Sequence, residues 1–131
     1  MPSLLEEKDA IRDLMSRYCF ISDRAGDPDG WAALFTEDGI WDGAEFGRIQ
    51  GHEALRGFMM KATSGGKAGF RHNMSNILID VDGDRAQARS YFLLVQVGAE
   101  GPKPFYAGYY EDKFVKRDGQ WLFSERITCP E

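Results

Sequence analysis

The sequence predicts an α+β domain in which three helices stand against one face of a long antiparallel sheet. Three observations lead there. Before Ser64, apolar residues recur at helical spacing between short polar breaks. From Phe70 onward the period drops to two. Two tight-turn signals, Asp82-Gly83-Asp84 and Arg117-Asp118-Gly119-Gln120, divide this second half into a meander. A strongly curved sheet of this kind, folded over a long helix, leaves a concave apolar cavity, the natural place for a ligand.

Each element has its own signal. Ser3 followed by Glu6 has capping-box spacing, and Leu4, Ile11, Leu14, Met15, Tyr18 and Cys19 form one apolar stripe, so a long helix is predicted from about Ser3 to Asp23. Arg24-Ala25-Gly26 breaks it. Asp27-Pro28 restarts a short helix, Asp29 to Phe35, with an N-cap and a proline at the first helical position. Glu37-Asp38-Gly39 reads as a turn into a strand, Ile40-Trp41-Asp42, which pairs with a second short strand near Phe46 to Ile49. Gly51-His52-Glu53 opens the third helix, with Leu55, Phe58 and Met59 on its buried face, and Ser64 to Gly69 reads as a loop. Four long strands follow: Phe70 to Val81, Ala86 to Val97, Phe105 to Lys116 and Trp121 to Cys129, with Gly98 to Pro104 as a connection.

The bulk properties narrow the function. A chain of 131 residues is one domain, 1–131, large enough for a core without disulfides. A net charge of −5 and the lack of any basic run argue against nucleic acid and against an anionic membrane surface as partners. No stretch approaches the roughly 18 apolar residues of a membrane span, and the charged N-terminus is unlike a secretory signal, so a cytoplasmic protein is expected. Cys19 and Cys129 make no disulfide framework. With two histidines and no dense carboxylate cluster, a dedicated metal site is not expected.

Chemistry-bearing residues stand out against this background. Tyr18 and Asp23 close the first helix amid core residues, and His72 is a second polar intruder, in Phe70-Arg71-His72-Asn73-Met74. A neutral imidazole held by a carboxylate is a competent base near neutral pH. The bland readings are a histidine bonded to a backbone carbonyl and an aspartate bonded to its own turn. On an ideal helix Tyr18 and Asp23 lie about 140° apart, so they can flank one cavity only if its mouth is wide. Trp31, Trp41, Phe58, Met59, Phe70, Met74, Tyr91, Tyr106 and Tyr110 default to core, parity alone does not assign which of them line the cavity, and Trp41, Phe58, Met74, Tyr91 and Tyr110 are the candidate substrate-binding walls. His52, at a helix start, reads as an exposed or capping residue. Ser75 and Ser90 lie in strands without a nucleophile elbow.

The order of these pieces resembles the SnoaL-like branch of the nuclear transport factor 2-like superfamily. The carrying segments are Ile11-Arg12-Asp13-Leu14, Tyr18 to Asp23, Trp31 to Gly39, Gly51-His52-Glu53-Ala54-Leu55, Arg71 to Asn76 and Arg117-Asp118-Gly119-Gln120-Trp121. The resemblance implies a cone-shaped, barrel-like fold: a strongly curved, mostly antiparallel sheet wrapped over three N-terminal helices around one apolar cavity. Scytalone dehydratases, hexachlorocyclohexane dehydrochlorinases and bile-acid dehydratases of this group use an Asp–His pair, which Asp23 and His72 match. Tyr18 matches a tyrosine of the bile-acid enzymes, and Arg126 corresponds to their strand-six arginine. Steroid isomerases would place a carboxylate base where Gly43 stands here, with Asp42 one residue off and so on the other face.

By that resemblance the chain is a cofactor-independent lyase acting on a small hydrophobic, oxygenated substrate, with His72, Asp23 and Tyr18 catalytic and Arg126 among the binding residues. The alternatives are a binding or assembly module, like the small subunit of aromatic-ring-hydroxylating dioxygenases, and an isomerase or polyketide cyclase. An assembly module should have a cone filled by its own aromatics and an Asp23 out of reach of His72. The superfamily's habit of pairing through the open face of the sheet implies a homodimer or homotrimer.

Overall fold

A computed structural model describes residues 1–24, 27–63 and 69–131. The predicted break at Ala25-Gly26 and most of the predicted loop, Ser64 to Ala68, lie outside the described residues.

Helix α1 (Leu4–Arg24) starts at the capping box: the Ser3 amide donates to Glu6 Oε1 at 3.0 Å and the Glu6 amide donates to Ser3 Oγ at 3.2 Å. Its apolar stripe, from Ile11 to Cys19, is buried. Glu7 ties the helix to the far end of the sheet, accepting from Lys116 Nζ at 2.9 and 3.0 Å and from Trp121 Nε1 at 3.4 Å.

Helix α2 (Pro28–Ala32) is capped by Asp27, whose Oδ1 accepts from the Gly30 amide at 2.9 Å. It is shorter than predicted. Phe35 belongs instead to strand β1 (Phe35–Asp42), which also absorbs the predicted Glu37-Asp38-Gly39 turn. Tertiary pairing overrides local preference here: Phe35 lies opposite Phe123, and the register shifts before Ile40 meets Glu125. Thr36 Oγ1 donates to Asp38 Oδ1 at 3.0 Å across the irregularity. Gly39 fits it because a Cβ there would approach the Thr36 carbonyl oxygen to 2.9 Å. A 3-10 turn (Ala44–Phe46) precedes strand β2 (Arg48–Gln50), slightly later than predicted, and helix α3 (His52–Thr63) follows.

The meander consists of β3 (Phe70–Asp82), β4 (Arg85–Gly98), β5 (Gly101–Arg117) and β6 (Gln120–Pro130). The sheet order is β2-β1-β6-β5-β4-β3, antiparallel except for the β1–β6 pair, and it does not close. At the β5–β6 turn, Asp118 (φ 51°) and Gly119 (φ 78°) both take positive φ, as a type I′ hairpin requires. The predicted Gly98–Pro104 connection is mostly strand, since Pro102 pairs with Val97 and Pro104 with Val95. Prolines are tolerated there because β6 ends opposite Gly108, leaving this part of β5 as a sheet edge.

The core lies between the inner face of the sheet and the helices, joined by ring contacts of Trp31, Phe35, Phe114 and Phe123. Alternation along β4 separates the faces: Ser90 and Phe92 are buried, whereas Tyr91 is 57% exposed. Tyr91 therefore stands on the outer face, away from the cavity, and the wall role expected of it does not hold in this structure. Period two defines two faces but cannot say which is covered.

Candidate active site

α1 lies against β3, which brings the helix end to the strand start. His72 Nδ1 is 2.6 Å from Asp23 Oδ1, and the His72 amide donates to Asp23 Oδ1 at 3.1 Å and Oδ2 at 2.9 Å. The macrodipole disfavours an anion at a helix C-terminus, and these donors offset that cost. An ionised carboxylate can only accept, so Nδ1 carries the proton and the Nε2 lone pair is left free. The side chains are only 20% and 7% exposed, for His72 and Asp23 respectively, so the pair is shielded yet reachable through the imidazole.

His72 forms part of the wall of an apolar cavity of about 80 Å³. Tyr18, Trp41, Tyr110 and Thr128 line it from the core side, and Phe46 and Tyr106 are also in its lining. Trp41 Nε1 donates to the Tyr18 hydroxyl oxygen at 2.8 Å, which fixes the phenol while leaving its proton available to a guest. Burial raises the Tyr18 phenol above its ordinary value, so it stays a donor. The Tyr18 and His72 rings meet edge to face with centroids 6.0 Å apart. Thus the two ends of the Tyr18–Asp23 stretch, on different helix faces, are joined through the imidazole.

The remaining predicted residues form an outer layer. Phe58 packs against Trp41 (centroids 4.8 Å apart) and buttresses it without lining the cavity. Arg126 is fully buried behind Tyr110 and Tyr18, its guanidinium 3.7 and 4.4 Å from their ring centroids. It donates through Nε and Nη2 to the two Asp112 oxygens, both at 2.8 Å, and Nη2 lies 3.7 Å from Met74 Sδ. Burial pushes the Asp112 carboxyl up and Arg126 pulls it back. Burial also works against the guanidinium's charge, but Asp112 outweighs that and holds its proton on. Met74 and Arg126 are thus one layer removed from the cavity.

Sequence reasoning missed Asp112, although strand parity from Tyr110 placed it inward. His52 is not a free cap: its Nε2 donates to the Phe35 carbonyl at 2.7 Å. Asp42 is engaged outside the cavity, accepting from the Ala44 amide at 3.0 Å and from Arg48 at 3.3 Å. At Gly43 a Cβ would overlap the Trp41 ring, so no carboxylate can stand there while Trp41 holds its place. Among the described residues, no group of three or more His, Cys, Asp or Glu is placed to hold a metal ion, and no helix is long and apolar enough to cross a membrane.

With this geometry in place, comparison with known families is decisive: the model of the SnoaL-like domain matches residues 3–127. The chain belongs to the SnoaL-like family. Its solved relatives share the fold over nearly its whole length. Rv3472 of Mycobacterium tuberculosis, a protein of unknown function solved as an Asp-to-Asn variant, is 34% identical over 95% of this chain and 72% of its own, with a TM-score of 0.86. A protein of Novosphingobium aromaticivorans, provisionally named a scytalone dehydratase, is 31% identical over 97% of this chain and 85% of its own, with a TM-score of 0.83. A second protein from that organism, NTF2-like with a cystatin-like fold, is 23% identical over 95% and 81%, with a TM-score of 0.82, and speaks for the fold alone. Comparison with functionally curated proteins gave no match.

Proposed function

We propose that this SnoaL-like protein is a cofactor-independent lyase, eliminating water or a similar leaving group from a small hydrophobic, oxygenated substrate. The observation that carries the reading is the Asp23–His72 pair, 2.6 Å apart, at the wall of an apolar cavity. His72 Nε2 takes a proton from the carbon beside a carbonyl, and Asp23 stabilises the imidazolium that forms. The Tyr18 hydroxyl donates to the carbonyl oxygen as it gains charge. The electron pair then forms the carbon–carbon double bond and expels hydroxide, which leaves as water with the proton returned by His72. Apolar walls position the substrate and keep bulk water away from the pair.

A panel of β-hydroxy ketones tests this, since elimination creates a conjugated enone visible by absorbance. Turnover of at least one member should fall about 10²- to 10⁴-fold in both His72→Asn and Asp23→Asn. Turnover untouched by both substitutions would sink the assignment.

One observation favours the binding or assembly reading: the cone is largely filled by its own rings, leaving about 80 Å³. Against it stands the close Asp23–His72 contact, which an assembly subunit does not require. The isomerase reading lacks its base, because Gly43 has no side chain and Asp42 is held by Arg48. The proposal also has the protein working in the cytoplasm as a homo-oligomer through the outer face of its sheet, where Leu78, Tyr91 and Leu93 are exposed.

A further inference from the structure

We propose that the tip of the β1–β2 hairpin, Gly43 to Gly47, is the gate of the cavity and swings away from Tyr106 to admit a guest. The proposal rests on the lyase reading for its purpose and concerns access to the same site. Size is the first observation. An engineered cavity of about 150 Å³ holds benzene, and this one, about 80 Å³, is roughly half that. Ligand pockets ordinarily offer about 300–1,000 Å³. The structure is therefore a closed form, and part of the wall has to yield before an organic substrate reaches His72 and Tyr18.

The tip is the wall best able to yield. Tyr18, Phe92 and Tyr110 are buried in α1 and the central strands, whereas Phe46 is 57% exposed although it lines the cavity. Asp42 pairs with Arg48, and the residues between them form a loop that closes on itself. The Gly43 amide donates to the Gly47 carbonyl at 2.9 Å, the Phe46 amide to the Gly43 carbonyl at 3.1 Å and the Gly47 amide to the Ala44 carbonyl at 3.0 Å. Moving the tip as a unit breaks none of these bonds. Its backbone suits a hinge: Gly47 has φ 99° with open space around it, and Ala44 holds φ 57°, a conformation disfavoured for a residue with a Cβ. Tyr106 holds the tip shut. The β4–β5 register shift leaves Phe105 as the extra residue between Pro104 and Tyr106, and such bulges re-aim side chains. Phe46 meets the Tyr106 ring edge to face, with centroids 6.4 Å apart. Glu45, exposed and outside the cavity lining, is a hydrogen-bond partner of the Tyr106 hydroxyl. Burial, then the charge and hydrogen bond of Glu45, raise this phenol, so it stays the donor of the latch.

Fluorine NMR with 4-fluorophenylalanine in place of Phe46 tests the gate without any turnover. Relaxation dispersion should show the label exchanging between closed and open tips on the microsecond-to-millisecond scale. Glu45→Ala and Tyr106→Phe should each raise the open-to-closed ratio about five- to tenfold, the contribution of one hydrogen bond, and together no further. Glu45 does not line the cavity and Tyr106→Phe keeps the Glu45 charge, so a shared response identifies the bond between them. Saturation with benzene should draw the wild-type signal to the same open position, since the closed cavity has no room for it. Absence of exchange, no response to either substitution, additive responses, or no benzene-induced shift would each overturn the proposal. Exchange that grows with urea in step with unfolding would also overturn it, because the opening would then be global. The lyase assignment is read from turnover instead: an active enzyme whose fluorine signal never moves keeps the chemistry and loses the gate.

Discussion

At the scale of single residues, Asp23 does two jobs with one carboxylate. It orients the His72 ring and accepts the His72 amide from a neighbouring element. Asp23→Ala leaves that amide and the ring N–H without their acceptor, and should cost about 1–3 kcal/mol, measured by urea unfolding. Asp23→Asn keeps one acceptor oxygen and should cost less, while losing the charge that the proposed mechanism uses. A second residue-scale prediction concerns the buried pair behind the tyrosines. Arg126→Met strands the Asp112 charge in the core and should cost about 3–5 kcal/mol, whereas Arg126→Met combined with Asp112→Leu should recover most of that loss. If the double substitution is as damaging as the single one, the pair matters for shape rather than for mutual charge compensation.

At the scale of elements, close approach rather than propensity decides where substitutions hurt. A Cβ at Gly108 would overlap the Cys129 carbonyl oxygen where β5 runs into the end of β6. Gly108→Ala should therefore destabilise by about 1–3 kcal/mol or more, with the thermal midpoint falling accordingly. Gly83 has open space and φ 61°, so Gly83→Asn, a residue that tolerates positive φ, should be nearly neutral in the same assay. The contrast separates steric from conformational reasons for glycine within a single sheet.

At the scale of the whole molecule, burial of ionisable groups sets the alkaline limit. Burial pushes the Cys19 thiol up to about 11 from an ordinary value of 9.0. Between those values the unfolded chain releases a proton that the folded chain keeps, so stability falls as pH rises, by about 3 kcal/mol in all. Cys19→Ala should flatten that slope in denaturation curves taken from pH 8 to 11. The buried Tyr18 and Tyr110 phenols, both raised, extend the fall to higher pH. The outer sheet face is the other whole-molecule property. Light scattering should give a multiple of the monomer mass, and Tyr91→Glu with Leu78→Glu should return the monomer if that face is the contact.

Much of this was legible in the residues. The capping box, the α1 stripe, the Asp-Gly hairpins and the positions of Asp23 and His72 all depend on neighbours a few residues apart or on a recurring order of segments. What stayed hidden depended on partners distant in the chain. Phe35 is strand because Phe123 lies opposite it. Pro102 and Pro104 are strand because β6 ends before it reaches them. Tyr91 points outward and Tyr106 inward because the sheet covers one face and a bulge sits at Phe105. By itself, then, the sequence determined the order and type of most elements, the α+β class and the residues capable of acid–base chemistry, because local periodicity and turn chemistry encode those. Only the tertiary structure decided which side of each strand is covered, how close Asp23 and His72 stand and how little room the cone's own rings leave, because burial and distance belong to contacts between segments that period alone cannot pair.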